Sequence, residues 1–260
     1  MVFKMPTVTR IYLEDDIALA ADMIIALSHQ QSHYLKNVLR KKSGDALHIF
    51  NKVYGEFSAN ISEIKNSYIT ILVGQQLRLP EPIKSQEIGL VFAPVKNTPA
   101  HNIAIKATEL DVDYIQPIVT EYTIVNKINI DKLYVNSIQA AQQCERLSIP
   151  KISDIMSINK FIDQHRQLDN NLLIFCDESD NAQSAKESLK NASEIIKNNS
   201  NINRINILIG PEGGFSDEER EKLYSLNNLC NINLGNRILK ADTAIITALS
   251  IVQFMLGDWR

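Results

Sequence analysis

Cysteine is scarce in this chain, limited to Cys144, Cys176 and Cys230. The three are far apart and form no C-x-x-C pair, which excludes a disulfide framework and a thiolate zinc site and points to reduced thiols. The five histidines show neither H-E-x-x-H nor any paired ligand spacing, so no residue is assigned to a metal. Long apolar runs are missing too. The longest, from Ala244 to Leu256, is interrupted by Thr247, Ser250 and Gln253 and falls short of the ~20 residues that span a bilayer, so a buried core helix is expected there. The opening residues Met1 to Pro6 lack the apolar core of a signal peptide, and a cytoplasmic protein is expected. No excess of basic charge is present either: the net charge of −3 excludes nucleic-acid binding driven by overall charge while leaving room for a local basic face.

What is present is an ordinary soluble composition, 45% apolar and 22% charged over 260 residues, enough for one large domain or two smaller ones. The first part reads as β-rich. Arg10–Leu13, Asp45–Phe50, Val53–Ile61 and Tyr68–Val73 are short strand candidates, with turns at Ser43-Gly44-Asp45 and Asn66-Ser67. A helix from about His33 to Arg40 carries Tyr34, Leu35, Val38 and Leu39 as its apolar stripe. Strands this short and closely spaced predict a small barrel. Leu79-Pro80-Glu81-Pro82 marks a linker, since two prolines resist helix and central strand.

Beyond the linker, apolar strands alternate with helices. Strands are expected at Glu87–Ala93, Tyr114–Val119, Leu172–Cys176 and Ile205–Ile209, and helices at Ala100–Leu110 and Lys132–Arg146. That alternation predicts an α/β architecture, a parallel sheet covered by helices on both faces. Lys197–Arg204, polar and rich in Asn, reads as a flexible loop.

The most informative stretch is Ile207-Leu-Ile-Gly-Pro-Glu-Gly-Gly-Phe-Ser216, continued by Asp217-Glu218-Glu219. An apolar strand feeds a glycine-proline turn, and Ser216 with Glu219 forms the reciprocal capping signature of a helix start. Gly210, Gly213 and Gly214 allow backbone to approach a ligand. No Lys follows the glycines, so the turn is not a phosphate-cradling P-loop, and G-x-G-x-x-G is absent. Glu212 within the turn would repel a polyphosphate. A backbone-lined pocket beside a carboxylate suits a neutral or cationic nucleoside, a description that S-adenosylmethionine meets. A plain strand-turn-helix junction is the alternative reading of the same residues.

About twenty residues on, Leu234-Gly-Asn-Arg-Ile-Leu-Lys-Ala-Asp-Thr-Ala244 leads into the long apolar helix. The two motifs together resemble those of the ribosomal RNA small subunit methyltransferase E family of SPOUT methyltransferases, I-G-P-E-G-G-(F/L)-(S/T) followed by L-G-x-R-I-L-R-x-E-T-A. Lys240 and Asp242 stand where that pattern has Arg and Glu. The segment His33–Arg40 with Gly44-Asp45 resembles the start of the family's PUA-like RNA-binding domain. The resemblance implies a SPOUT methyltransferase fold with a C-terminal trefoil knot, preceded by a small PUA-like β-barrel. Residues 1–76 would form the RNA-binding barrel, 77–84 the linker and 85–260 the methyltransferase domain. It further implies methylation of N3 of a uridine in 16S ribosomal RNA of the assembled small subunit, with S-adenosylmethionine as cofactor and a homodimer as the working form.

Site residues follow from the same resemblance. Ile209, Gly210, Pro211, Glu212, Gly213, Leu234, Gly235, Ile238, Leu239 and Thr243 are the candidate cofactor-binding residues, with Ile238 and Leu239 as apolar wall. Ala140-Ala-Gln-Gln-Cys-Glu-Arg146 is similar to A-x-E-Q-(S/C)-x-R, with Gln142 in place of Glu; Arg146 is the candidate cation for the transition state. On residue grounds alone Arg146 is equally a helix C-terminal cation complementing the macrodipole. Lys106-Ala-Thr-Glu-Leu110 is similar to K-A-T-E-L-G, with Asp111 at the Gly, and makes Glu109 the second candidate catalytic residue. Arg10, Lys36, Arg40, Lys41 and Lys96 are candidate RNA contacts, where a solvated charged face is the alternative. Two other functions stay open: a non-catalytic RNA-binding or assembly factor on the same fold, for which Gln142, Lys240 and Asp242 are the grounds, and a SPOUT methyltransferase acting on a different RNA.

Overall fold

The protein is described from a computed structural model, over residues 8–178, 184–257 and 259. The chain divides into two compact units: residues 1–83 with 141–149, and residues 84–140 with 150–260.

In the first unit, β1 (Thr9–Tyr12), β2 (Ile24–Ala26), β3 (Ala46–Asn51), β4 (Gly55–Ile64) and β5 (Ile69–Arg78) form one sheet in the order β1-β3-β4-β5-β2. The β1–β3 pair is parallel and the rest antiparallel. Register shifts along β4–β5 bend the ladder, and residues from all five strands bury one core that includes Ile11, Leu47, Ile49, Ile61, Ile69 and Ile71. The short β2, with a single buried residue, carried too little pattern to be read from sequence.

The expected helix at His33–Arg40 is instead α1 (His29–His33), opened by a Ser28–Gln31 capping box, running into a π-helical turn at Tyr34–Val38. The amide of Leu39 bonds the carbonyl of Tyr34 at 3.0 Å, an i→i+5 bond that widens the turn. Spacings of three and four no longer share one face, and of the anticipated stripe only Leu35 is buried, leaving Tyr34, Val38 and Leu39 exposed.

The second unit holds β6 (Glu87–Phe92), α2 (Ala100–Glu109), β7 (Tyr114–Val119), β8 (Lys151–Ile152), β9 (Met156–Ser157), α4 (Ile158–Arg166), β10 (Asn171–Cys176), α5 (Ala185–Asn198), β11 (Arg204–Ile209), α6 (Asp217–Tyr224), β12 (Leu229–Ile232) and α7 (Ala241–Met255); α3 (Ile130–Cys144) carries its last four residues into the first unit. All strand pairs here are parallel, in the order β12-β10-β11-β6-β7-β8, with β9 also on β7. Alternate residues of each strand face opposite layers. Leu90, Leu172, Ile174, Ile205 and Ile207 pack with residues of α2, α5 and α7, whereas Val91, Leu173, Phe175 and Leu208 pack with Phe161 and Ile162 of α4 and Leu223 of α6. The polar stretch expected as a loop at 197–204 is shorter: α5 continues to Asn198, and Arg204 opens β11 in an ion pair with Glu87 at 2.8 Å.

Residues 141–149 cluster with the first unit because two arginines hold the end of α3. Arg10 donates to the carbonyls of Ala141 at 2.9 Å and Gln142 at 3.2 Å, and Arg78 to that of Glu145 at 2.8 Å. These are carbonyls left without intrahelical donors at a helix C-terminus. Glu56 accepts from both arginines, at 2.8 Å and 3.2 Å. Burial alone would raise the carboxyl pKa of Glu56. The Arg10 hydrogen bond, with the charges of Arg10, Arg78 and His48, outweighs it and holds the group below its usual range.

Candidate functional site

Three strands end level in the second unit. Cys176 closes β10, paired with Ile209 at the end of β11 and Ile232 at the end of β12. The segments that follow, 176–178, 209–215 and 233–244, line a cavity of about 510 Å³. Such crevices beyond the carboxyl ends of parallel strands are where open α/β sheets bind ligands, and the volume suits a nucleoside-sized one.

Each wall has a local cause. After β11, Gly210 permits the close approach of Phe215, since a Cβ there would lie 2.5 Å from the ring. Phe215 stands edge-on to Phe175 with centroids 5.0 Å apart. The turn closes with the Gly214 amide on the Pro211 carbonyl at 2.9 Å, Gly214 taking φ +67°. Ser216 and Glu219 then form the expected reciprocal cap of α6, and the second oxygen of Glu219 accepts from the Glu121 amide at 2.8 Å. After β12, the Asn233 side chain accepts from the Gly235 amide at 2.7 Å, an Asx turn that Gly235 completes at φ +109°. Below the turn, the buried carboxylate of Asp177 takes the Arg220 guanidinium and the Tyr224 hydroxyl, and Arg220 Nε donates to the Phe215 carbonyl at 3.2 Å. This network fixes the turn after β11 to the end of β10. Burial raises the thiol pKa of Cys176 above its usual value and so favours the neutral thiol.

Of the expected cofactor residues, Ile209, Gly210, Pro211, Glu212, Leu234, Gly235, Ile238 and Leu239 line the cavity. Gly213 and Thr243 are not among the lining residues: Gly213 lies against Tyr122, and Thr243 bonds the Asp242 carboxylate at 2.8 Å through its amide. Ile238 is 93% exposed, so it sits on the rim. Cys176, Asp177 and Glu178 were not anticipated. Their strand was legible as an apolar run, but its placement between β11 and β12 is a non-local pairing that no local pattern reveals.

The other expected residues fall elsewhere. Glu109 closes α2 in an ion pair with Lys106 at 2.8 Å. The next carbonyl, that of Leu110, accepts from Gln253 near the far end of α7 at 2.7 Å. Since α7 begins at the cavity with Ala241, its twelve-residue run to Gln253 puts Glu109 about 18 Å away along the sheet. Glu109 therefore stands at the opposite edge of the sheet from this cavity, because a helix that connects two parallel strands starts at one edge of the sheet and ends at the other. The expectation for Arg10 is corrected. It is 5% exposed, committed to Glu56 and the α3 carbonyls, and stacked over Phe50 at 4.1 Å, so it offers no surface for RNA. Lys36 and Arg40 are exposed and Lys41 half-buried around the π turn, and Lys96 is exposed just past β6. Arg146 is buried in the first unit, with Nε donating to Ser148 Oγ at 2.9 Å, and follows Glu145, whose φ of +64° is the left-handed exit of α3. Among the described residues, no group of three or more His, Cys, Asp or Glu is arranged to hold a metal ion, and no helix is long and apolar enough to cross a membrane.

These features define an α/β protein that has a small β unit and, in its second unit, a nucleoside-sized cavity at the carboxyl edge of a parallel sheet. Comparison with known proteins sharpens the class. Residues 82–253 match the family model of the RNA methyltransferase domain, and residues 27–73 that of the RNA methyltransferase PUA domain. The ribosomal RNA small subunit methyltransferase E of Rickettsia conorii is 32% identical over 95% of both chains. That of Buchnera aphidicola from Schizaphis graminum is 30% identical over 96% of this chain and 98% of its own. Among solved structures, a Legionella pneumophila protein with bound S-adenosylmethionine superposes with a TM-score of 0.79 at 26% identity, covering 95% of this chain and 97% of that one. The Neisseria gonorrhoeae methyltransferase E superposes at 0.80 with 21% identity, over 97% and 100%. The chain belongs to the ribosomal RNA small subunit methyltransferase E family.

Proposed function

We propose that this protein is a methyltransferase that uses S-adenosylmethionine to methylate N3 of a uridine in 16S ribosomal RNA of the small subunit. The observation that carries the reading is the cavity at the ends of β10, β11 and β12, built from the two family motifs. Its residues fit the cofactor. Backbone from Ile209 to Glu212 and from Leu234 to Gly235 can approach closely, Leu239 supplies apolar wall, and the carboxylates of Glu178 and Glu212 suit a ligand bearing sulfonium and ammonium charge. A Cβ on Gly235 would meet nothing within 4 Å, so that loop leaves open space for a ligand.

When bound, S-adenosylmethionine supplies an electrophilic methyl group. The chain's own contribution is position: the capped turn before α6 and the Asx turn at Asn233 hold the walls rigid, so that alignment of the reacting atoms accounts for most of the acceleration. Arg146 is the cation that favours the anion at uridine N3. The uridine edge has to be unstacked to react. The same reading has residues 1–76 as the RNA-binding unit, 77–84 as linker and 85–260 as the methyltransferase unit. The cavity loops pass through a trefoil knot, and the working form is a cytoplasmic homodimer acting without metal on assembled small subunits. Lys36, Arg40, Lys41 and Lys96 are its RNA contacts.

The test is transfer of labelled methyl to small subunits lacking the modification, followed by nucleoside analysis. Label in N3-methyluridine supports the reading. Subunit binding without label would favour a non-catalytic assembly factor, and label confined to another RNA would reassign the substrate.

A further inference from the structure

The π-helical turn leaves a surface that the methyl-transfer reading does not explain. Where a regular helix would have buried an apolar stripe, Tyr34 is 42% and Val38 59% exposed, with Leu39 beside them. The distortion is held in place: the Leu39 amide bonds Tyr34, the Lys41 amide bonds Leu35 at 2.9 Å, and Arg40 sits at φ +54°, a conformation that costs a non-glycine residue free energy. From His29 to Gly44 the chain has four cations, Lys36, Arg40, Lys41 and Lys42, and no acidic residue, although the whole protein is net negative. A solvated structural helix gains nothing from exposing an aromatic ring and two aliphatic side chains among four like charges. A polyanion with flat apolar faces meets both features together, because phosphates pair with the cations and an unstacked base lies on the ring.

We infer that the π turn is a base-stacking platform for single-stranded RNA, with Tyr34 stacking an unpaired nucleotide and Lys36, Arg40 and Lys41 tracking its backbone. The inference rests on the RNA-directed reading above but assigns the binding unit a selectivity of its own, for unpaired over paired strands. A duplex keeps its bases stacked inside and offers the ring nothing. Tyr34 therefore contributes to affinity without contributing to salt dependence, and the cations contribute to both.

The experiment is fluorescence anisotropy with the full chain. The probes are a labelled RNA of about twelve nucleotides without self-complementarity and the same strand in duplex, titrated between about 50 and 300 mM salt. Tyr34→Ala is expected to weaken single-strand binding about tenfold, the order of one stacked base, with an unchanged slope of log K against log salt and unchanged duplex binding. Tyr34→Phe, which keeps the ring face, should bind as the parent does. Lys41→Ala should reduce the slope by about 0.7, one phosphate on a single strand. Parental binding by Tyr34→Ala, equal losses on single strand and duplex, or a Tyr34→Phe variant as weak as the alanine would each overturn the platform. So would a Tyr34→Ala effect confined to self-association in sedimentation. Because no step needs methyl transfer, a protein that transfers no methyl yet shows the Tyr34 pattern would refute the enzymatic reading and leave the platform standing.

Discussion

Replacing Gly210 by Ala tests the cavity wall most directly. The added Cβ would lie 2.5 Å from Phe215 Cε2 and 3.0 Å from Cζ, well inside any real contact. Phe215 cannot step aside cheaply, because it is 6% exposed and braced edge-on by Phe175. Overpacking of this kind costs roughly 1–3 kcal/mol. Strain then falls on the turn that carries Pro211 and Glu212, both on the cavity. If about 1.4 kcal/mol of it is felt by the bound state, affinity for S-adenosylmethionine drops about tenfold, and the melting temperature falls by a few degrees. Titration calorimetry with S-adenosylhomocysteine, which cannot react, reads the affinity. The mechanism makes a second demand: Gly210→Ala combined with Phe215→Leu removes the clashing ring atoms, so the double variant should bind better than Gly210→Ala alone. Native affinity in the single variant, or no recovery in the double, would refute the placement of the ligand against this turn.

Three further outcomes are expected. Arg146→Ala should lower the rate of methyl transfer by about a hundredfold or more while leaving cofactor affinity within about twofold, since a cation aimed at developing charge acts mainly on the transition state; equal losses in both would make the residue structural. Glu145→Gly should stabilise the protein by roughly 0.5–1 kcal/mol, because glycine adopts the left-handed φ of +64° without a Cβ penalty; thermal melting checks it, and a fall would mean that the glutamate side chain holds something worth more. Burial depresses the folded-state pKa of His165 to about 4 from 6.5. Between those values the unfolded chain takes up a proton that the folded chain does not, so stability falls as pH drops through that window, by about 2 kcal/mol at pH 5 from this residue. Urea unfolding at pH 7 and pH 5 should show His165→Gln with the smaller loss.

Local signals in the sequence reached as far as local physics does. Continuous apolar runs at β6, β7, β10 and β11 marked buried parallel strands, and Ser216 with Glu219 marked the start of α6, because both patterns act within a few residues. Pairings set by distant chain were illegible. Arg10 looked like a surface cation because its carboxylate partner lies 46 positions away and its carbonyl partner Ala141 lies 131 away. Cys176–Glu178 joined the cavity only through the order β12-β10-β11. The π turn defeated a periodicity argument that assumes one helix geometry throughout. Asp111 shows both sides. Its departure from the glycine of related sequences was visible, and the structure puts it at φ +56°, where glycine is favoured. The compensation was invisible: the Asp111 carboxylate pairs with Lys84 at 2.6 Å, across 27 positions of chain.

One carboxylate makes two distant loops mechanically inseparable. Glu219 caps α6 with one oxygen and holds the Glu121 amide with the other, while Gly213 rests on Tyr122. The turn after β11 therefore cannot loosen without releasing the segment that follows β7, ninety residues earlier in the chain. The exchange rate of a single amide proton, that of Glu121, becomes a clock for the opening of the cavity wall. It keeps time whether or not the cavity is filled, and its slowing on addition of a ligand measures how tightly that wall has been drawn shut.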